Sequence, residues 1–405
     1  MGGAIRTRMR NKQWAEKYPE LGTGPVPAEP CILPEYFELE RERVFRRTWI
    51  NVCRVDDVPE PGDFFVRDLV VCKASLLIIR GKDNVIRGFH NVCSHRGNIV
   101  SPHERGNCAT GLFCPFHNWR YDDKGALVGV PDEENFFNLD KARNGLTPVN
   151  LDVWGGFVFV HLDPQPAQSL RDYLGGVAAQ LDGCPFDEMR CLQTYKVEER
   201  TNWKIALDAQ NEVYHLPFQH QRLIGHTFML NEQKHTRILE VKLFERHTVW
   251  SCEFVPNYKL SPLEQLLGRI DKGEEGVRIP QLIGEFDFYV VFPNMVIIPF
   301  RGPMEDGFAT YNFWPLAYDR TIWEIRYYFP PAKSAGRRIS QEFFKCLIRD
   351  VQQEDSVAHE ALFTGLASRA KTHLQFQDEE ITIRYFHKVL EDHVGYYRNR
   401  SAAAE

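Results

Sequence analysis

The sequence of 405 residues has no long apolar run. Its greasiest stretch, Val290 to Phe300, contains Pro293 and Asn294. It falls far short of the roughly 20 residues that a membrane helix needs. The first twenty residues carry Arg6, Arg8, Arg10 and Lys12, but no apolar segment follows them, so no secretory signal is read there. Gly2 is not read as a myristoylation site, because Arg6 stands where Ser or Thr is needed. Positive charge is not in excess: 49 Lys+Arg against 55 Asp+Glu gives −6, which argues against a sequence-independent grip on nucleic-acid phosphates. Cysteine is sparse, with ten residues in the chain, too few for a disulfide scaffold. The expectation is a cytoplasmic protein with reduced thiols and neither a membrane nor a nucleic acid as partner.

What is present fits a globular chain of two or three domains: 43% hydrophobic residues, 26% charged, and 28 Phe within 13% aromatics. That many rings suit large apolar cores or pockets. Residues 1–34 read as irregular, interrupted by Pro25, Pro27, Pro30 and Pro34, and a short helix is expected from about Glu35 to Arg47. Short β-branched or aromatic runs follow at Phe64–Val66, Leu69–Cys72, Leu76–Arg80 and Val85–His90, parted by turn residues such as Pro61-Gly62. Another strand at Gly156–Leu162 precedes Asp163-Pro164-Gln165-Pro166, so 41–165 reads as one small all-β domain.

Beyond it, strand-like runs occur at Arg237–Glu245, Thr248–Val255, Phe286–Pro299, Phe308–Trp314 and Thr321–Phe329. Helical patterns occur near Trp203–His220 and Ser340–Leu366. Strands with flanking helices, without βαβ alternation, predict an antiparallel α+β domain over 166–405. Residues 1–40 are expected to pack on that domain.

Two Cys–His pairs carry the first chemistry. Cys93-Ser-His95 and Cys114-Pro-Phe-His117 lie eighteen residues apart. Two thiolates and two imidazoles suit a structural zinc or a Rieske [2Fe–2S] cluster, in which the cysteines hold one iron and the histidines the other. Zinc fingers group like ligands and place the histidines on a helix, whereas here each pair is mixed and the surroundings are strands. The other cysteines, Cys31, Cys53, Cys72, Cys108, Cys184, Cys191, Cys252 and Cys346, are read as small apolar fillers.

The second patch runs from Asp208 through Glu212, Tyr214 and His215 to His220. A mononuclear non-haem Fe(II) site needs two His and one carboxylate, with positions left open. On a regular helix, residues five apart point roughly 140° away from each other. Pro217 disfavours helix at Leu216, so a break there is expected to bring His215 and His220 together. A distant carboxylate must complete the set. Asp355 falls on the apolar stripe of Phe344, Leu347, Ile348, Val351, Ala358 and Leu362, with Glu354 at its edge. A carboxylate on a buried face is costly unless it is paired or binds metal.

Asn91-Val-Cys-Ser-His-Arg-Gly97, Cys114-Pro-Phe-His-Asn-Trp-Arg-Tyr-Asp122 and Trp154-Gly-Gly-Phe-Val-Phe-Val160 resemble the Rieske domain of ring-hydroxylating oxygenases. Asn202-Trp-Lys204, then Glu212-x-Tyr214-His215-x4-His220 and Glu354-Asp355, resemble the catalytic half of the same family. The likeness runs from about residue 40 to 390. Asn118 departs from the family's usual glycine, and Ala209 stands where many members carry Asn.

The resemblance implies a small all-β Rieske domain and a larger helix-grip domain. Cys93, His95, Cys114 and His117 would hold the cluster, and His215, His220 and Asp355 a catalytic Fe(2+). Glu212 would bridge electrons from a neighbouring subunit's cluster. Apart from the resemblance, Tyr214, Trp119 and Asp208 are read as candidates to support the ligands, with core packing an equal alternative for Tyr214.

It further implies the terminal oxygenase of a multicomponent system, a head-to-tail homotrimer. Such an enzyme takes O2, and electrons from NAD(P)H through a ferredoxin or reductase, to mono- or dioxygenate a small hydrophobic, aromatic compound. N- or O-demethylation and quaternary-amine oxidation use the same scaffold. A Rieske electron-transfer protein and a zinc-stabilised ligand-binding module are rivals of other classes. Scattered histidines, His226, His235 and His247, are read as ordinary. Phe286, Phe288, Met295, Phe308 and Phe313 could line a pocket or fill a sheet core.

Overall fold

The computed structural model describes residues 13–224, 227–228, 235–255, 259–270, 276–302 and 306–403; His226 lies outside them. The chain divides into two compact units, Glu40–Tyr173 and the remainder. The boundaries fall inside helical segments. Pro34–Glu40 is α-helical and opens on a proline, where a missing N–H costs nothing; it widens into a π-turn at Arg41–Phe45. Leu170–Leu181 is kinked at Gly175.

The smaller unit is built on a seven-stranded sheet ordered Ile50–Arg54, Phe157–His161, Pro148–Trp154, Ile86–His90, Ala74–Arg80, Asp63–Leu69 and Arg105–Asn107. Neighbours pair antiparallel. The expected strand Leu69–Cys72 is a correction. Asp63–Leu69 pairs with Ala74–Arg80 in a register that sets Leu69 against Ala74. The chain must therefore reverse over 70–73, and it does so with a 3-10 turn at Val70–Cys72 and a left-handed Lys73 (φ 53°). A second sheet of three short strands, Leu112–Phe113, Arg120–Tyr121 and Leu127–Gly129, carries the second Cys–His loop.

The larger unit holds an antiparallel seven-stranded sheet ordered Arg190–Glu199, Arg320–Phe329, Gly307–Ala317, Met295–Phe300, Phe286–Val291, Thr248–Cys252 and Glu240–Leu243. The run Phe286–Pro299, expected as one strand, is two. It turns over at Phe292-Pro293-Asn294, and Val291 faces Met295 across the hairpin. Sequence reading missed Arg190–Glu199 because it is an edge strand with little apolar alternation and mostly exposed or half-buried residues. Trp203, Trp250, Trp323, Tyr289 and Tyr327 are fully buried. Trp323 stacks on Phe313 at 5.7 Å and meets Tyr311 edge-on at 5.3 Å.

The 33-residue helix Ala335–Ala367 is capped by Ser334, whose hydroxyl accepts from the Arg337 N–H. It packs on Trp203–Ala209 and on Arg190–Glu199. Residues before Leu39 join this unit: the Trp14 N–H donates to Asp378 at 3.1 Å, and Val26–Pro27 pairs with His373–Leu374. No helix among the described residues is long and apolar enough to cross a membrane.

Cys53, Cys72, Cys108, Cys184, Cys252 and Cys31 are buried, as fillers should be, but Cys191 and Cys346 are exposed. Cys191 sits on the edge strand and Cys346 on the long helix, each on a face turned to solvent.

Glu379 ties the N-terminal segment to the sheet, accepting from Ile238 N–H at 2.8 Å and from the Trp14 indole at 3.4 Å. Burial lifts its carboxyl to about 7, against those hydrogen bonds. A carboxyl raised on folding favours the native state at low pH and loses that contribution as pH rises through the folded value. Glu379→Gln should remove about 2–3 kcal/mol of stability loss between about pH 4.5 and pH 8. Urea melts at both ends of that range test this; equal slopes with pH in the two proteins would contradict it.

Candidate metal centres

The first centre is made of two loops whose backbones fold back on themselves. The Cys93 N–H donates to Asn98 O at 2.8 Å, and Gly97 N–H to Cys93 O at 3.0 Å. In the other loop Cys114 N–H donates to Trp119 O at 2.9 Å, and Asn118 N–H to Cys114 O at 2.9 Å. Asn118 adopts φ 58°, a left-handed conformation that asparagine tolerates better than most residues. This explains how it occupies a usual glycine position.

The turns bring the His95 and His117 rings to 4.7 Å, and Trp119 stacks flat on His95 at 4.9 Å. Both sulfurs are buried and receive polar neighbours: the Tyr121 hydroxyl lies 3.2 Å from Cys93 Sγ, and Asn98 Nδ2 lies 3.8 Å from Cys114 Sγ. Tyr121 also accepts from the Ser94 N–H at 3.0 Å. Cys108 is buried in the same apolar cluster, as packing.

The second centre lies in the larger unit. The helix beginning at Trp203 ends at Ala209, and a single turn, Leu216–Gln219, follows with His215 and His220 at its two ends. The expected break at Pro217 is a correction. The chain leaves the helix earlier, over 210–214, and Pro217 sits in the first turn of the short helix, where its missing N–H is harmless.

His215, His220 and Asp355 each turn a donor atom to one point, all within 4.8 Å of one another. His220 Nε2 is 3.0 Å and His215 Nε2 3.8 Å from Asp355 Oδ1. The outer nitrogens are also held: His215 Nδ1 by Glu212, and His220 Nδ1 by Glu354 at 2.8 Å. Such partners fix ring orientation and raise ligand basicity. Burial opposes charge on His215, but the Glu212 carboxylate outweighs it and lifts the imidazole to about 9. Burial likewise opposes ionisation of Asp355, and the neighbouring imidazoles overcome it and hold its carboxyl below the ordinary range.

Sequence reading did not single out two amides here. Gln210 Nε2 donates to Asp355 Oδ2 at 3.1 Å, and Gln219 Nε2 to Asp355 Oδ1 at 3.3 Å. Gln210 supplies an amide from the position after Ala209. Its only sequence signal was its place inside the dense patch. Glu354 was visible as half of the Glu354-Asp355 pair, but its hold on His220 was not.

Among the supporting residues named from sequence, Trp119 touches His95 and Tyr214 gives its N–H to Glu212. Asp208 accepts from His387 Nε2 at 2.8 Å, in a separate grouping with Cys31. His247 accepts from the Phe292 N–H, and His235 packs near Tyr214 and Phe218.

The His–His–Asp triad opens on a cavity of about 200 Å³. Its walls combine rings, among them Trp250, Phe286, Phe288, Phe300 and Phe344, with aliphatic side chains and with polar ones such as Glu264 and Arg301. Met295, Phe308 and Phe313 belong to the buried core instead. Trp250 and Phe288 stack at 3.9 Å, and Phe300 stacks on Phe344 at 4.6 Å.

Residues 186–396 match the ring hydroxylating alpha subunit (catalytic domain) family, and residues 48–147 match the Rieske [2Fe–2S] domain. The chain belongs to the Rieske ring-hydroxylating oxygenases.

The chain is 34% identical over 192 residues to the carnitine monooxygenase oxygenase subunit of Escherichia coli K12, covering 47% of this chain and 50% of that one. It thus spans about half the length of this curated relative. It is 31% identical over 273 residues to the alpha subunit of 2-aminobenzenesulfonate 2,3-dioxygenase from an Alcaligenes species, covering 65% and 64%. In fold it is similar to a quaternary ammonium Rieske monooxygenase (TM-score 0.75, 21% identity, 95% of this chain and 99% of that one). It is also similar to the naphthalene 1,2-dioxygenase of a Rhodococcus species (TM-score 0.74, 24% identity, 95% and 98%).

Rieske oxygenases carry a [2Fe–2S] cluster and a mononuclear iron, and the donors present here fit both. His95 Nδ1 is buried without a hydrogen-bond partner beside two buried thiols. The second centre is the two-His-one-carboxylate set of non-haem iron proteins.

The Tyr121 hydroxyl favours negative charge on Cys93 sulfur, and reduction adds such charge. Tyr121→Phe should lower the reduction potential of the cluster by on the order of 50 mV, one neutral hydrogen bond's worth for one electron. Protein-film voltammetry reads it, and an unchanged or higher potential contradicts the assigned contact. Glu354→Ala should weaken the triad's affinity for Fe(II) about 10–100-fold and leave the cluster's visible absorption intact. Titration of the chelated protein with Fe(II) measures the first, and an unaltered affinity would mean Glu354 does not orient His220.

Proposed function

We propose that this chain is the terminal oxygenase of a multicomponent Rieske system acting on a hydrophobic, aromatic compound. In this reading Cys93, His95, Cys114 and His117 hold the cluster, and His215, His220 and Asp355 hold the iron. The observation that carries it is the position of the triad on the wall of a cavity whose lining includes stacked aromatic rings. When bound there, the cluster would supply single electrons and the iron a site for O2 activation. The overall change balances as substrate C–H plus O2, two electrons and two protons giving C–OH and water; dioxygenation retains both oxygens as a cis-diol. The electrons come from NAD(P)H through a separate ferredoxin or reductase.

The protein's own residues have distinct tasks. Glu212 grips the outer nitrogen of His215 and the N–H groups of Tyr214 and His215. It is therefore suited to pass an electron delivered from a neighbouring subunit's cluster to the metal side of His215. This route calls for an assembly in which one subunit's cluster meets the next subunit's triad, a closed head-to-tail trimer. Gln210 and Gln219 steady Asp355. The ring-lined walls hold the substrate and keep bulk water from the reacting atoms.

A second reading is oxidation of a quaternary amine. It is favoured by the relatives named as carnitine and glycine betaine monooxygenase oxygenase subunits. Aromatic walls can also receive a cation through their ring faces, and Glu264 stands in the lining.

Turnover of a panel of aromatic compounds, carnitine and betaine, with a surrogate reductase and product masses, decides between them. Asp355→Ala should abolish oxygenation and lower iron from three to about two per chain, with the cluster's colour retained. Loss of both iron and colour would contradict two separate centres.

A further inference from the structure

Among the polar groups on the cavity wall, one amide lies a single helical turn from Asp355. Gln352 precedes Asp355 by three positions on the helix Ala335–Ala367, so both lie on one face. It is 5% exposed and lines the cavity. Its Nε2 donates to the Tyr311 hydroxyl at 2.8 Å. The amide also donates to the Tyr327 hydroxyl, so its two N–H groups serve two phenol oxygens and Oε1 is its other polar end. Among the described residues this oxygen is buried without a hydrogen-bond partner, whereas the hydroxyl of Tyr327, another lining residue, is engaged with Gln352 and Tyr311. Buried amide oxygens and phenols are nearly always satisfied in folded proteins. An unsatisfied amide oxygen on the cavity wall, one helical turn from Asp355, marks where a hydrogen-bond donor of a ligand would complete the set. Burial pushes both phenols well above their ordinary range, so they stay protonated and bring no charge.

Resting on the reading of this cavity as an aromatic-substrate site, we propose that Gln352 is a specificity-determining residue. Its amide oxygen accepts a hydrogen bond from an N–H or O–H carried by the substrate, placing that edge of the ring beside the metal. The substrate class is thus an aromatic amine, N-heterocycle or phenol, and not a plain hydrocarbon. A quaternary ammonium group has no N–H to donate to this oxygen. A site that hydrogen-bonds its substrate discriminates against the analogue lacking the donor, because its own buried group is then left unpaired.

Indole and indene test the proposal, since they share a shape and differ in the N–H. Binding to the holoenzyme is measured by calorimetry, and product formation with the surrogate reductase is followed separately. The wild type should bind indole about tenfold more tightly than indene. Gln352→Met, close in volume but without the acceptor, should bring the ratio to within about twofold. Gln352→Leu replaces it if the Met variant loses its cluster absorption or its melting transition. Equal binding by the wild type, or a preference that survives in the variant, overturns the proposal. If both probes bind equally and are oxygenated, the Gln352 assignment alone fails. If neither binds and no aromatic compound in the panel is oxygenated, the aromatic reading fails and takes this inference with it.

Discussion

The larger unit is organised around a buried negative charge that must be answered. Asp355 is 3% exposed in the long helix, where an unpaired carboxylate would be strongly unfavourable. Two imidazoles face it, and each is gripped from behind by a further carboxylate, Glu212 or Glu354. Three carboxylates around two imidazoles carry more negative charge than the rings alone can answer, and a divalent cation offsets most of it. The demand shapes the backbone as well. A continuous helix through His215 and His220 would splay the rings, so the chain abandons helix over 210–214 and re-enters it for a single turn.

The smaller unit solves a different problem by a different route. Its four donors come from two tight loops whose conformation is set by main-chain hydrogen bonds within each loop. No long element is needed to aim them. Trp119 stacks on His95 and the Tyr121 hydroxyl lies beside Cys93, so the sheet side of the site is packed and dry. Phe116, between the second pair of donors, is 55% exposed. One wall of the site is thus sealed by packing while the other presents an apolar side chain outward, an arrangement suited to a centre that exchanges electrons with something outside its own domain.

The cavity joins these demands to selectivity. Stacked rings such as Trp250 on Phe288 and Phe300 on Phe344 give it stiff walls. Polar groups reach it from the long helix that carries Asp355, such as Gln341 and Gln352, and from other segments, such as Gln210, Glu264 and Arg301. Gln352 and Asp355, one turn apart on that helix, both line the cavity.

Local features were the ones readable in advance. Each Cys–His pair lies within four residues, and His215 and His220 lie five apart, so side-chain chemistry and short-range backbone preference suffice to mark them. The antiparallel α+β character followed from strand-like runs without βαβ alternation. Asp355 could be found because a carboxylate on an apolar helical stripe is an anomaly within one element.

The rest was settled by contacts between distant segments. Glu354 meets His220 across 134 positions, and Gln210 meets Asp355 across 145; an exposed-looking Glu and a neutral amide give no local sign of such partners. The edge strand Arg190–Glu199 exists because Arg320–Phe329 offers it a hydrogen-bonding edge, not because its own residues insist on it. Whether a given Phe lines the cavity or fills the core depends on which way the sheet and helix close around it. The sequence by itself marked the candidate donors and the chemistry they suit; the tertiary structure decided which neighbours hold them and what space they face, because those partners are supplied only when the chain folds back on itself.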